Sequence, residues 1–165
     1  MHTLQLMKLA DAMLPNYPRL NRDIILISLF IHDMGKIEEL RWDRGFEYTR
    51  EGNLIGHIAR GAMWLEGKAK IAEESVGEPL PDGFLTVMQH IVLSHHGLLE
   101  HGAAKLPSTP EAIFVSQLDN LDAHTQTALD SARPWVKTAV GDEAFTERMW
   151  SLNTKLYRRD PLKNA

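Results

Sequence analysis

An apolar run, Ile24-Ile-Leu-Ile-Ser-Leu-Phe-Ile31, leads directly into His32-Asp33 and then Met34-Gly35-Lys36. A helix that is apolar on all sides belongs in the middle of a domain. An imidazole and a carboxylate at its inner end are costly to desolvate unless something pairs with them. A divalent cation would serve, and His57, His95-His96 and Asp119 stand at separations that could complete a metal centre around the pair.

Length and charge limit what such a centre can do. A chain of 165 residues accommodates one domain with a substantial core and is short for two. The formal net charge of -4 provides no global field for a polyanion. Cysteine is absent, which removes disulfides, thiolate nucleophiles and Cys-rich zinc sites together. Any metal must therefore take nitrogen and oxygen ligands. The first residues lack a basic n-region, and their apolar positions are interrupted by Lys8 and Asp11. No run approaches the roughly 20 apolar residues of a membrane span, so a soluble cytoplasmic protein that does not enter membranes is expected.

Apolar residues at 4, 6, 7, 10, 13 and 14 predict a first helix, closed by Pro15 and Pro18. Asn21 is placed to cap the helix that carries the apolar run, and Gly35 to end it through a left-handed turn. Between Glu38 and Gly52, Trp42, Phe46 and Tyr48 lie among charges around Asp43-Arg-Gly45, the pattern of a short hairpin or ordered loop. Helical period returns from Leu54 to Ala72, with His57 beside the apolar stripe, and again from Phe84 to His96. Ser108-Thr-Pro-Glu111 has capping-box spacing with an early proline and opens a helix carrying Asp119 and Asp122 on one face. A last helix is expected from near Asp142, followed by a basic tail, the two together occupying about 143–165. Strand signals are scarce, so the expected class is all-α: a single helical bundle over 1–165 with one short excursion after the His-Asp pair.

His32, Asp33 and His95 fall at predicted helix ends, while His57 and Asp119 lie on helices with a core-facing stripe, so the set can converge on one cavity. Imidazole and carboxylate suit Mn, Fe, Co, Ni or Zn, and an oxygen-rich portion would admit Mg. An aspartate beside a ligating histidine can bridge two ions, which together would hold an attacking water and phosphoryl oxygens.

His32-Asp33-Met-Gly-Lys36 resembles the signature of the HD superfamily of metal-dependent phosphohydrolases. The resemblance extends through Tyr17-Pro-Arg-Leu-Asn-Arg22, Glu51-Gly-Asn-Leu-Ile-Gly-His57, Leu93-Ser-His-His-Gly97, Leu118-Asp-Asn-Leu-Asp-Ala123 and Phe145-Thr-Glu-Arg148. As a series these segments are similar to the HD domain of the YhaM-type 3′→5′ exoribonucleases. The resemblance implies one ion held by His2, His32, Asp33 and Asp119, and in two-metal members a second held with His57 and one or both of His95 and His96. It also places Lys36 where a lysine faces substrate phosphate, and makes Asp33 and Lys36 the catalytic pair. Two departures stand out. His2 lies near the end of the sequence, where fraying opposes a rigid ligand, and the N-terminal OB-fold of those exoribonucleases has no counterpart in these residues.

Simpler readings compete residue by residue. His32 alone could be a satisfied core histidine, and Lys36 a cation favoured at a helix end. His95 is a better ligand than His96 if the helix continues, because neighbours on a helix point about 100° apart; a break there brings both inward. Asp122 can orient a ligating histidine, whereas His90, His101 and His124 read as structural. Arg41, Arg44 and Arg50 alternate with Glu39, Asp43, Glu47 and Glu51 as a solvated loop, and Trp42, Phe46 and Tyr48 read as packing that loop onto the domain rather than stacking bases. The expectation is a phosphodiesterase or 3′→5′ exonuclease acting on RNA or short single-stranded oligonucleotides with one or two divalent ions. A phosphomonoesterase of nucleotides and a noncatalytic nucleotide-binding module are the alternatives.

Overall fold

The computed structural model describes residues 2–43, 45–133, 144–160 and 162. Helix α1 (His2–Met13) turns Leu6 and Ala10 inward and ends in a 3-10 turn that contains Pro15. Asn21 caps α2 (Arg22–Ile31), its side chain accepting from the Asp23 and Ile24 amides. The two helices pack together, and Leu6, Ala10, Leu14, Ile25, Leu29, Ile91, Ala112, Val115 and Leu118 form the core.

The apolar run is not buried on every side. Ile25, Ser28, Leu29 and His32 share the inward face, but Ile27 and Phe30 point to solvent, Phe30 with 60% of its surface exposed. With 100° between successive residues, α2 packed on a core shows it one face only.

Gly35 is a second correction. Its φ of -60° is right-handed, so it provides no left-handed turn. It provides room instead: a Cβ there would lie 2.1 Å from the His57 carbonyl oxygen. Helix α3 (Lys36–Glu39) follows, then an antiparallel hairpin, β1 (Leu40–Trp42) and β2 (Phe46–Tyr48), with Arg41 opposite Glu47 and Trp42 opposite Phe46. The hairpin's aromatics do not pack the excursion down; Trp42, Phe46 and Tyr48 are exposed, with Trp42 edge-on to Phe46.

Thr49 caps the short α4 (Arg50–Leu54). The long α5 (Gly56–Val76) begins at a glycine with φ of 76° and stops at Gly77, also left-handed. It packs on α6 (Phe84–Ser94). Helix α7 (Pro110–Ala132) starts at Thr109, whose hydroxyl accepts the Ala112 amide. Ser108 is not the cap, and Glu111 instead accepts the Asn21 amide.

The chain divides into two compact units, Met1–Asp119 and Asn120–Ala165. The described part of the second contains the later turns of α7 and the residues 144–160. The helix expected from near Asp142 is not present over 144–149, and its start lies outside the described residues. Phe145 bridges Tyr157 and Met149 bridges Thr154 across a turn at Asn153, which is left-handed at φ of 52°. Thr146 breaks helical spacing there by spending its hydroxyl on the Glu147 carbonyl and the Leu156 amide. Among the described residues no helix is long and apolar enough to cross a membrane.

Candidate metal centre

Within the first unit, four structural positions meet: the start of α1, the end of α2, the start of α5 and the end of α6, with Asp119 of α7 beside them. His32 and His95 are fully buried at the ends of α2 and α6. Each helix orients its own terminal histidine, the His32 Nδ1 donating to the Leu29 carbonyl and the His95 Nδ1 to the Val92 carbonyl, both at 2.7 Å. A carbonyl oxygen only accepts, so Nδ1 carries the proton and the Nε2 lone pair is left for the cavity.

Helix α6 stops at Ser94, and Gly97 adopts φ of 77°. The broken helix lets His96 turn inward beside His95, with ring centroids 4.4 Å apart. Its Nδ1 is held by the His101 carbonyl at 2.8 Å. The rule that one of two neighbours must point away does not apply, because the two residues are not consecutive within a helix. His101 and His90 have structural contacts, His90 accepting the Ser108 amide.

Two groups result. His2, His32 and Asp119 offer ligand atoms within 4.8 Å of one another, and so do His57, His95 and His96. Asp33 faces both: Oδ2 is 3.5 Å from the His32 Nε2, while Oδ1 is 3.6 Å from the His57 Nε2 and 3.7 Å from that of His95. Lys36 Nζ sits 2.7 Å from Asp33 Oδ2. His2, the first residue of α1, bonds Asp119 at 2.9 Å. Asp122 lies one turn further along α7.

The electrostatics follow from burial and crowding. Burial pushes the His32 imidazole below its ordinary value, against the opposing pull of Asp33. Burial and then His95 lower His96 similarly. For Asp33, burial acts upward, but His95, His32 and Lys36 outweigh it and hold the carboxyl well below the usual range. Asp119 is likewise lowered, burial being overcome by its bond to His2 and by His32 and His95. Lowered His32 and His96 imidazoles and lowered Asp33 and Asp119 carboxyls are shifts toward the lone-pair and ionised forms through which such groups bind a cation.

The cavity also passes a test of fit. His32 Nε2, Asp33 Oδ1, His57 Nε2 and His95 Nε2 are buried without a hydrogen-bond partner among the described residues. Leaving such an atom buried and unpaired costs free energy, and four of them turned toward one another mark a place that favours a shared partner. A divalent ion taking lone pairs from these atoms removes that cost, and the residues present could hold one.

Glu39 is hidden in the sequence. It belongs to the charge alternation around the hairpin, yet it is buried and its Oε1 accepts both the backbone amide and the Nδ1 of His57 at 3.0 Å. The available signal is its place shortly beyond Asp33, and nothing in spacing alone separates it from Glu38, which pairs with Arg60.

Helices that bring a His-Asp pair and distant histidines into one cluster of ligand atoms define the class. The family model for the HD domain matches residues 1–124, and the chain belongs to the HD domain family. Among curated proteins, the 3′-5′ exoribonuclease YhaM of Geobacillus sp. (strain WCH70) is 36% identical over 156 residues, 94% of this chain and 45% of that protein. Those of Bacillus pumilus (strain SAFR-032) and Bacillus subtilis (strain 168) are 36% and 35% identical over 94% of this chain and 46% of theirs. The chain thus spans a little under half the length of these relatives. No solved structure matches it.

Proposed function

We propose that this chain is a metal-dependent phosphohydrolase that cleaves phosphodiesters of RNA or short oligonucleotides from the 3′ end, in the cytoplasm. The observation that carries the proposal is Asp33, whose two oxygens face the two histidine groups separately. His2, His32, Asp33 and Asp119 would hold one divalent ion, and Asp33 with His57, His95 and His96 a second. The nitrogen and oxygen donors suit Mn, Fe, Co, Ni or Zn, with Mg at an oxygen-rich position. When bound, such ions polarise phosphoryl oxygens and lower the pKa of water.

The protein's own part is positional. His32 and His95 are held by carbonyls of their own helices, so their Nε2 atoms are preset rather than recruited. Burial of both rings keeps bulk water from competing for the ligand atoms. Lys36, with 43% of its side chain exposed and its Nζ 2.7 Å from Asp33, is a point charge on a flexible stem that can meet a substrate phosphate. Support for a polymer substrate comes from the relatives named 3′-5′ exoribonucleases.

The test compares a 5′-labelled oligoribonucleotide, a simple diester and a mononucleotide in manganese, before and after chelation and readdition. A ladder shortening from the 3′ end, abolished by chelator and restored by manganese, is expected. Turnover of the mononucleotide alone identifies a phosphomonoesterase, and nucleotide binding without turnover of any ester identifies a binding module. Either result overturns the proposal.

A further inference from the structure

Of His32, His57, His95 and His96, only His57 has its Nδ1 held by a side chain; the other three are held by backbone carbonyls. The reason is its place in the fold. His57 is the second residue of α5, so no preceding turn of that helix offers a carbonyl three residues back, and its amide is among those a helix start leaves unpaired. Glu39 answers both needs with one carboxylate. Its Oε1 lies 3.0 Å from the His57 amide and 3.0 Å from the ring Nδ1, with Oε2 also 3.0 Å from Nδ1.

Glu39 is itself held tightly. Its carbonyl accepts the Thr49 amide, and a Cβ on Gly52 would sit 2.3 Å from that same oxygen, so α4 packs directly against the backbone of this residue. Only 9% of Glu39 is exposed. The contact this carboxylate makes with the site's imidazoles is the one to His57.

We propose that Glu39 is a positioning residue that fixes the Nδ1-protonated tautomer and the ring orientation of His57, and thereby sets the affinity of the His57, His95 and His96 group for a divalent cation. The inference rests on the two-group reading of the site given above. A carboxylate accepting from Nδ1–H leaves Nε2 as the lone-pair nitrogen, 3.6 Å from Asp33 Oδ1, and makes the imidazole a more basic ligand. Without it, the Nε2-protonated form competes and presents an N–H where a lone pair is needed.

Two measurements on the whole chain test this. Long-range proton–nitrogen NMR of the metal-free protein reports the tautomer of His57: Nδ1-protonated in the native chain, mixed in Glu39→Met, which keeps the volume and removes the acceptor, and restored in Glu39→Gln, whose amide oxygen can accept both bonds. Calorimetric titration with manganese alone reports the sites. Glu39→Met is expected to weaken one binding event by about 10–100-fold and leave the other unchanged, with Glu39→Gln recovering most of the loss. An Nε2-protonated His57 in the native chain overturns the proposal without any variant, and so does Glu39→Met binding two ions as tightly as the native protein. If the native chain binds fewer than two ions while the tautomer follows Glu39, the two-group reading fails and the positioning role stands.

Discussion

Replacing Gly35 by alanine separates two physical effects that predict opposite signs. At φ of -60° and ψ of -20° the backbone accepts alanine, and on conformational entropy alone the change stabilises by about 0.4–1 kcal/mol. Space argues the other way: the new Cβ falls 2.1 Å from the His57 oxygen, 2.8 Å from its carbonyl carbon and 2.9 Å from its Cα. All three are backbone atoms and cannot rotate aside. Restoring an ordinary carbon–oxygen contact of roughly 3.3 Å requires α3 and the start of α5 to part by about 1.2 Å. Overpacking of this kind costs about 1–3 kcal/mol; less the entropic gain, that leaves a net loss of roughly 0–2.6 kcal/mol, about 1.3 kcal/mol at the midpoints. At that middle value and a urea slope of about 2 kcal/mol/M, the unfolding midpoint should fall by roughly 0.6–0.7 M. The same separation carries His57 away from Asp33, so one manganese-binding event should weaken in parallel. Gly67, inside α5 with nothing within 4 Å of where a Cβ would stand, is the control, and Gly67→Ala should stabilise by about 0.5–1 kcal/mol. If Gly35→Ala matches Gly67→Ala in urea and binds manganese normally, the close approach of α3 to α5 does not shape the site and the reasoning fails.

Asp33→Asn removes the charge facing both groups and should lower oligonucleotide hydrolysis by about 100-fold or more, measured at saturating manganese so that weakened binding is not mistaken for lost turnover. Manganese at about 100 times its dissociation constant should stabilise the native chain by about 2.7 kcal/mol, a rise of roughly 5–10 °C in melting temperature; no shift in a thermal scan would mean that the cavity takes no ion. In the metal-free protein the folded-state pKa of His32 lies below the unfolded value, chiefly through burial, so the unfolded chain binds the proton first as pH falls. Its contribution is therefore complete above about pH 6.5 and declines by up to about 1.4 kcal/mol per pH unit below it, a slope that His32→Asn should reduce in urea titrations between pH 8 and 5. Asn21→Ala, which removes the acceptor for the Asp23 and Ile24 amides, should cost about 1 kcal/mol without altering manganese affinity.

What is legible in the sequence depends on the range of the interaction that decides it. Asn21 as a cap and the helices around 54–72 and 84–96 are readable because capping and 3.6-residue periodicity act within a few positions. The hairpin is half legible: Asp43-Arg-Gly45 announces a turn, but whether Trp42, Phe46 and Tyr48 are covered depends on what lies opposite them. The family motifs point to the residues that the fold gathers in its two groups, and of the two readings that spacing leaves for His95 and His96 the structure has the broken helix, ended at Ser94 before a left-handed Gly97.

Gly35 and Glu39 mislead for one common reason. Each has a local explanation that suffices, a turn glycine and a solvated acid, and each is occupied instead by a partner in α5 that is distant in the chain. The two are also linked through His57: Gly35 admits its carbonyl, and Glu39 takes its amide and its ring nitrogen. His57 is thus located by backbone contact on one side and oriented by a carboxylate on the other, whereas His32 and His95 are oriented by their own helices. It follows that the histidines ending α2 and α6 should keep their geometry in variants that loosen α3 and α4, and His57 should not. The His57 group is where the site depends on tertiary packing, and the role proposed for Glu39 makes it the place where cation affinity should change without a proposed ligand being touched.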